Sequence, residues 1–203
     1  LIDHNLFLSP KARDNWSHGG AYAHNLFLGA VAGRSELGRE TPWLVPHSTE
    51  LGETRNVEQG DDRLVNNIFA EAHGLSTYDD APLPITAEGN LYLAGAIPAT
   101  QEIEPEARAD DAPIAEVEVR GDEVYLHLHL DLGSLRNGNR TLVTSQRLGH
   151  TEVSGLPFEG VDGSSLFLNT DYFGDLHDPD DPAPGPFAAT DHGNDPLMVW
   201  PIR

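Results

Sequence analysis

The sequence predicts an all-β protein: right-handed parallel β-helix coils followed by an antiparallel β-sandwich. Three observations lead there. An Asn followed by an apolar, aromatic, apolar triplet recurs, as "HNLFL" at His4–Leu8 and His24–Leu28, "NNIFA" at Asn66–Ala70 and "GNLYL" at Gly89–Leu93. The copies are short and strand-like, with few helix formers and no helical periodicity. From about residue 114 the pattern changes to strict apolar alternation on either side of a Gly-Asp turn.

The repeat sets the first half. Its Asn markers, Asn5, Asn25, Asn67 and Asn90, are spaced by 20, 42 and 23 residues, and 42 is about twice 21. A period of roughly 20–25 residues indicates a solenoid. Leucine-rich repeats share that period but need Leu at several fixed positions and a helical return. Stacked β coils, about 4.8 Å apart, need only short strands and tight corners. In this reading Asn sits at the corner, because it tolerates the left-handed conformation, and its amide forms a ladder from coil to coil. The Leu or Ile of each copy points inward as an aliphatic stack. Four accidental copies of a common turn-plus-strand are the competing explanation.

The boundaries follow from composition. Residues 1–96 read as coils, with a loop insertion at 29–54 that is rich in Gly, Pro and charge and carries no clean strand. Residues 97–113 read as an acidic, Pro-punctuated linker. Residues 114–203 read as the sandwich: "IAEVEV-RGD-EVYLHLHLDL" is a hairpin, "TLVTSQRL" and "SSLFLNTDYF" add strands, and "LMVWPIR" closes it.

Charge narrows the partners. The 203 residues include 12 Lys and Arg against 33 Asp and Glu, a net charge of −21, and Lys11 is the lone lysine. Such a surface repels nucleic acid and anionic membrane, so neither is expected as a partner. Two explanations stay open: adaptation to high salt, or an ordinary acidic protein that writes Arg for Lys. Cysteine is absent, which excludes disulfides and thiolate metal sites. No apolar run approaches the roughly 18 residues of a membrane span. The chain opens without Met inside an apolar pattern, so it is read as a piece of a longer protein whose missing N-terminal β-helix coils would be its partner.

The repeat also serves as a ruler for function. Eleven residues before Asn25, Asn67 and Asn90 stand Asp14, Asn56 and Asp79. Carboxylates and amides stacked beside a Trp suit a sugar, whose hydroxyls they bond while the ring takes C–H contacts. The candidate substrate-binding residues are Asp14, Trp16, His18 and Glu58 on the coils, with His47 and Glu50 on the insertion. A ligand-free polar face, and structural capping by His47 and Glu50, are the plain alternatives. "HLH" at His127–His129 reads as a solvent-facing row and "HDPDDP" at His177–Pro182 as an acidic turn. No catalytic residue, cofactor or metal site is assigned.

The motifs "GGAYAHNLFLGAV", "RETPW", "PHSTE", "GDDRLVNNIF", "EGNLYL" and "TDYFG" resemble the C-terminal part of the parallel β-helix β-xylosidases, glycoside hydrolase family 120. The resemblance covers roughly residues 1–100 and is thinner beyond. It implies a retaining glycosidase acting on xylose-containing oligosaccharides, with two carboxyls about 5–5.5 Å apart, no cofactor, and a cytoplasmic location. It also places the family's Asp nucleophile and Glu acid/base in the two coils before "LIDHN", leaving Asp14 one coil further on with a substrate-side role. Two other readings remain: a non-catalytic carbohydrate-binding or surface β-helix module, and catalysis within this chain by Asp14 with Glu58 or Glu50.

Overall fold

The computed structural model describes residues 1–70, 73–109, 114–135, 140–188 and 195–201. The protein is all-β with very little helix. In the first half, successive turns of chain lay strand upon strand. One parallel sheet holds Ile2–Asp3, Ala21–Ala23, Arg63–Val65 and Thr86–Glu88. A second holds Leu6–Phe7, Leu26–Phe27, Ile68–Phe69, Leu91–Tyr92 and Glu106–Ala107. A third side pairs Lys11–Asn15 with Ala30–Gly33, again in parallel. Register follows the repeat: Leu6 pairs with Leu26, Leu26 with Ile68, and Ile68 with Leu91.

The Asn markers form a continuous ladder. Asn5 donates its backbone N and its Nδ2 to Asn25 Oδ1. Asn25 does the same to Asn67 Oδ1, and Asn67 to Asn90 Oδ1. The left-handed corner lies one residue earlier than the sequence reading put it. His4, His24, Asn66 and Gly89 carry the positive φ, at 52°, 52°, 55° and 67°. The marker Asn must aim its side chain along the stack, so its predecessor makes the turn.

The inward column is also different. Phe7, Phe27, Phe69 and Tyr92 stack with ring centroids 4.8, 5.1 and 5.4 Å apart. They share one core with Tyr22, Leu64 and Ala87 of the first sheet and Val31 of the third side, so the aromatic column fills the space the strands enclose. The aliphatic column, Leu6, Leu26, Ile68 and Leu91, faces the other way. It packs against Leu126, Phe187, Leu197 and Val199 of the second half. A strand buried on both faces reads as a continuous apolar run, so its pattern does not reveal which side is inner.

The second half wraps these outer faces. Ala115–Arg120 and Glu123–Leu128 pair across the Gly121–Asp122 turn, and Leu197–Trp200 joins them. Gly185 lets this wrapping approach: a Cβ there would meet Ile68 Cδ1, and its φ of +80° suits only glycine comfortably. "TLVTSQRL" does not continue as a strand. Val143–Thr144 pairs with Phe167–Leu168, and then Thr144 Oγ1 caps a helical turn, Ser145–Leu148, by accepting from Arg147 N at 3.1 Å.

Two stretches read as irregular are ordered. Within 29–54, Ala30–Gly33 joins the third side, while Glu36–Leu44 and Leu51–Val57 form an antiparallel hairpin. That hairpin occupies the extra length in the 42-residue interval. Its residues are mostly exposed on both faces, so they lack the alternation that marks a half-buried strand. In 97–113, Glu106–Ala107 adds a strand to the second sheet. No helix among the described residues is long and apolar enough to cross a membrane.

Candidate functional site

Strand Lys11–Asn15 carries polar side chains of two kinds. Arg13 and Asn15 turn toward Asp62, which is fully buried. Asp62 Oδ2 accepts from Arg13 Nη2 at 2.9 Å, Tyr78 OH at 2.8 Å and Asn15 Nδ2 at 3.2 Å, and Oδ1 accepts from Gly20 N at 2.8 Å. Arg13 also lies over the Tyr22 ring, 3.6 Å from its centroid. Both carboxylate oxygens are taken by protein donors, while Arg13 Nε is buried without a partner.

Asp14 points to the outside. One oxygen accepts from Arg34 Nε at 2.7 Å and the other pairs with Lys11. The hydrogen bonds from Lys11 and then Arg34 hold its carboxyl down at about 2. A carboxyl held ionised by two cations is poorly suited to donate a proton near neutral pH. Arg34 also sits 5.8 Å from the centroid of Trp16, which is 47% exposed, so Asp14, Arg34 and Trp16 form one outer patch.

His18 lies elsewhere, in a cleft of about 220 Å³ between the coil loop at 17–19, the hairpin and the segment at 151–154. Three polar atoms in its walls are buried without a protein partner: His18 Nδ1, Thr41 Oγ1 and Trp43 Nε1. An imidazole, a hydroxyl and an indole N–H left unpaired on residues that line one small space mark it as a candidate ligand site, since such groups cost stability unless something bonds them. The volume suits one small ring, being under the roughly 300 Å³ at which drug-sized pockets begin. Asp61 fixes the floor. Its carboxylate accepts from Glu152 N at 2.9 Å and Val153 N at 3.3 Å, holding the 151–154 segment in place.

The hairpin tip carries the other candidates. His47 is exposed and bonds Glu159 Oε1 at 2.7 Å, pinning the tip to the second half. Glu50 contributes its backbone to the tip, where its O accepts from Val45 N at 2.9 Å and its N donates to Ser48 Oγ at 3.1 Å. Glu58 is half-buried just after the hairpin. Asp14 and Trp16 thus share one patch, His18 belongs to the cleft, and His47 and Glu50 share the tip. Thr41 and Trp43 were missed by the sequence reading. "RETPW" pointed to the right stretch, but only the hairpin's pairing sets Thr41 and Trp43 on one face, two residues apart.

A larger cavity, about 370 Å³, lies on the last coil beside Glu106, Arg140 and Arg147. Its buried Arg140 is already paired, with Glu106 Oε2 at 2.5 Å, Gly89 O at 2.7 Å and Leu135 O at 2.7 Å. The smaller cleft is the better site because three of its lining residues carry an unsatisfied buried polar atom.

Fold and cleft define the class: an all-β chain of stacked parallel strands with a small, Trp-walled cleft beneath a hairpin. Among solved structures the chain is similar to XylC, described in complex with xylose, at 31% identity and a TM-score of 0.87 over 98% of this chain. It spans 35% of that protein's length. No family model and no curated protein matches the sequence.

Proposed function

We propose that this chain is the C-terminal part of a retaining glycoside hydrolase acting on xylose-containing oligosaccharides, with the catalytic carboxylates in coils that precede Leu1. The observation that carries this is the likeness to XylC, a protein seen with xylose, along nearly the whole chain. In this reading residues 1–96 are the last coils of a right-handed parallel β-helix and residues 114–203 a β-sandwich packed on its outer faces. Parallel coils suit a retaining pair, because carboxylates at one position of adjacent coils stand about 4.8 Å apart. Asp14, Trp16, His18, His47, Glu50 and Glu58 lie on the substrate side, and the cytoplasm remains the proposed location. The ion pairs with Arg34 and Lys11 that keep Asp14 ionised argue against it as the acid/base.

Turnover of an aryl β-xyloside tests the proposal. The parent polypeptide should turn it over and the 203-residue chain should not. Turnover by this chain that Asp14→Asn abolishes would place the chemistry here instead.

A second reading, carbohydrate binding without catalysis, is favoured by the three unpartnered polar atoms of the cleft. An inactive parent polypeptide in which xylose still quenches tryptophan fluorescence would establish it.

A further inference from the structure

The left-handed corner that precedes the Asn ladder holds histidine in two successive coils. The His4 and His24 rings stack 5.1 Å apart with 2° between their planes. A third ring arrives from the second half: His177, the first residue of "HDPDDP", lies 4.6 Å from His24 and 5.7 Å from His4, centroid to centroid. His24 and His177 are 0% and 4% exposed, so the sequence's acidic turn begins with a buried imidazole. One nitrogen from each ring lies within 4.8 Å of the other two.

From this geometry we infer a divalent transition-metal site formed by His4, His24 and His177, taking Zn²⁺ or a cation of similar preference. The Nε2 atoms of His4 and His177 are 3.4 Å apart. Two nitrogens bound to one tetrahedral Zn²⁺ at about 2.0–2.1 Å stand about 3.3–3.4 Å from each other, so these two are already at ligand spacing. The opposite nitrogen of His4, Nδ1, is 3.0 Å from Asp3 Oδ2. A carboxylate there fixes the tautomer that leaves the Nε2 lone pair free, and it raises ligand basicity.

His177 Nδ1 is buried without a partner, so the long contact of its Nε2 with His4 Nε2 is the hydrogen bond its ring makes among the described residues. His24 Nε2 faces Asn66 Nδ2 at 3.2 Å, while its Nδ1 faces Gly185 O at 3.3 Å. Keeping the Gly185 bond, releasing Asn66 and tilting the His24 ring out of its parallel stack on His4 would make His24 the third ligand. Imidazole ligands suit Zn²⁺, Cu²⁺, Ni²⁺ and Co²⁺ and disfavour Ca²⁺ and Mg²⁺. The ion would clasp the 177 segment to the first two coils, joining residues more than 150 positions apart.

The test uses the untagged 203-residue chain with Zn²⁺ in calorimetry and Co²⁺ in visible absorption. One Zn²⁺ per chain is expected at neutral pH, together with the ligand-field bands of tetrahedral Co²⁺. His4→Gln and His177→Gln should each weaken binding at least 100-fold, with folding checked by near-ultraviolet circular dichroism. Asp3→Asn, which leaves all three rings in place, should weaken it about tenfold. His129→Gln, on the exposed hairpin, should leave it unchanged. Absence of stoichiometric binding, or full affinity in the His4→Gln and His177→Gln variants, overturns the assignment.

Discussion

Asn90 donates both its backbone N and its side-chain Nδ2 to one oxygen of Glu102, each at 3.2 Å. Glu102 therefore takes the place that the next coil's Asn would fill, and it ends the ladder. Its other oxygen accepts from Tyr92 OH.

Glu102→Ala strands two Asn90 donors and the Tyr92 hydroxyl, all buried. Each unsatisfied group costs about 1–3 kcal/mol. Three such groups at the low end of that range give a loss of about 3 kcal/mol or more in denaturant unfolding, and we expect a smaller loss for Glu102→Gln, whose Oε1 still accepts from Asn90.

Burial raises the Glu102 carboxyl above its ordinary value near 4.5, against the opposing pull of Tyr92 and Asn90. The folded form then holds a proton that the unfolded form has lost, so stability falls as pH rises through that window. The difference in unfolding free energy between the wild type and Glu102→Gln should shift in favour of Gln from pH 4.5 upward. A difference independent of pH would refute the raised carboxyl.

Asp62→Ala leaves Arg13 buried and unpaired. Breaking one side of such a pair costs about 3–5 kcal/mol. Asp62→Asn should cost less than Ala, because it keeps an acceptor for Tyr78 or Gly20. Chemical denaturation of the two variants measures the gap.

Trp43 rests on Gly52, where any Cβ would collide with its six-membered ring. Gly52→Ala should displace the indole and change the near-ultraviolet dichroism. Trp43→Phe keeps the flat face but loses the N–H. Under the proposed function it should weaken xylose binding roughly tenfold, as for one hydrogen bond of about 1.4 kcal/mol. Unchanged binding in both variants would remove this cleft from the substrate path.

A net charge of −21 repels itself at low ionic strength. If the acidic surface reflects adaptation to high salt, the melting temperature should climb from millimolar to molar sodium chloride as carboxylates are screened. A flat profile would favour the ordinary acidic protein.

Sequence alone determined what repeats or lies close along the chain. The 20-residue spacing of Asn5 and Asn25 reappears as the pairing of Leu6 with Leu26. Asn was legible as a ladder residue, and Gly121–Asp122 as a hairpin turn. Both follow from local rules, because a periodic chain presents the same group to its neighbour at every turn. Tertiary structure decided what does not repeat. From the second copy on, the aliphatic residue and the aromatic one after it are both buried, so only the wrapping by the second half shows that the ring faces inward and the aliphatic side chain outward. The hairpin folds over the coil loop, which brings His18 to Thr41 and Trp43, and the 151–154 segment closes that cleft. His177 meets His4 and His24 only when the second half lies against the first coils. Contacts between segments so far apart depend on how whole surfaces pack, and no spacing within either segment records them.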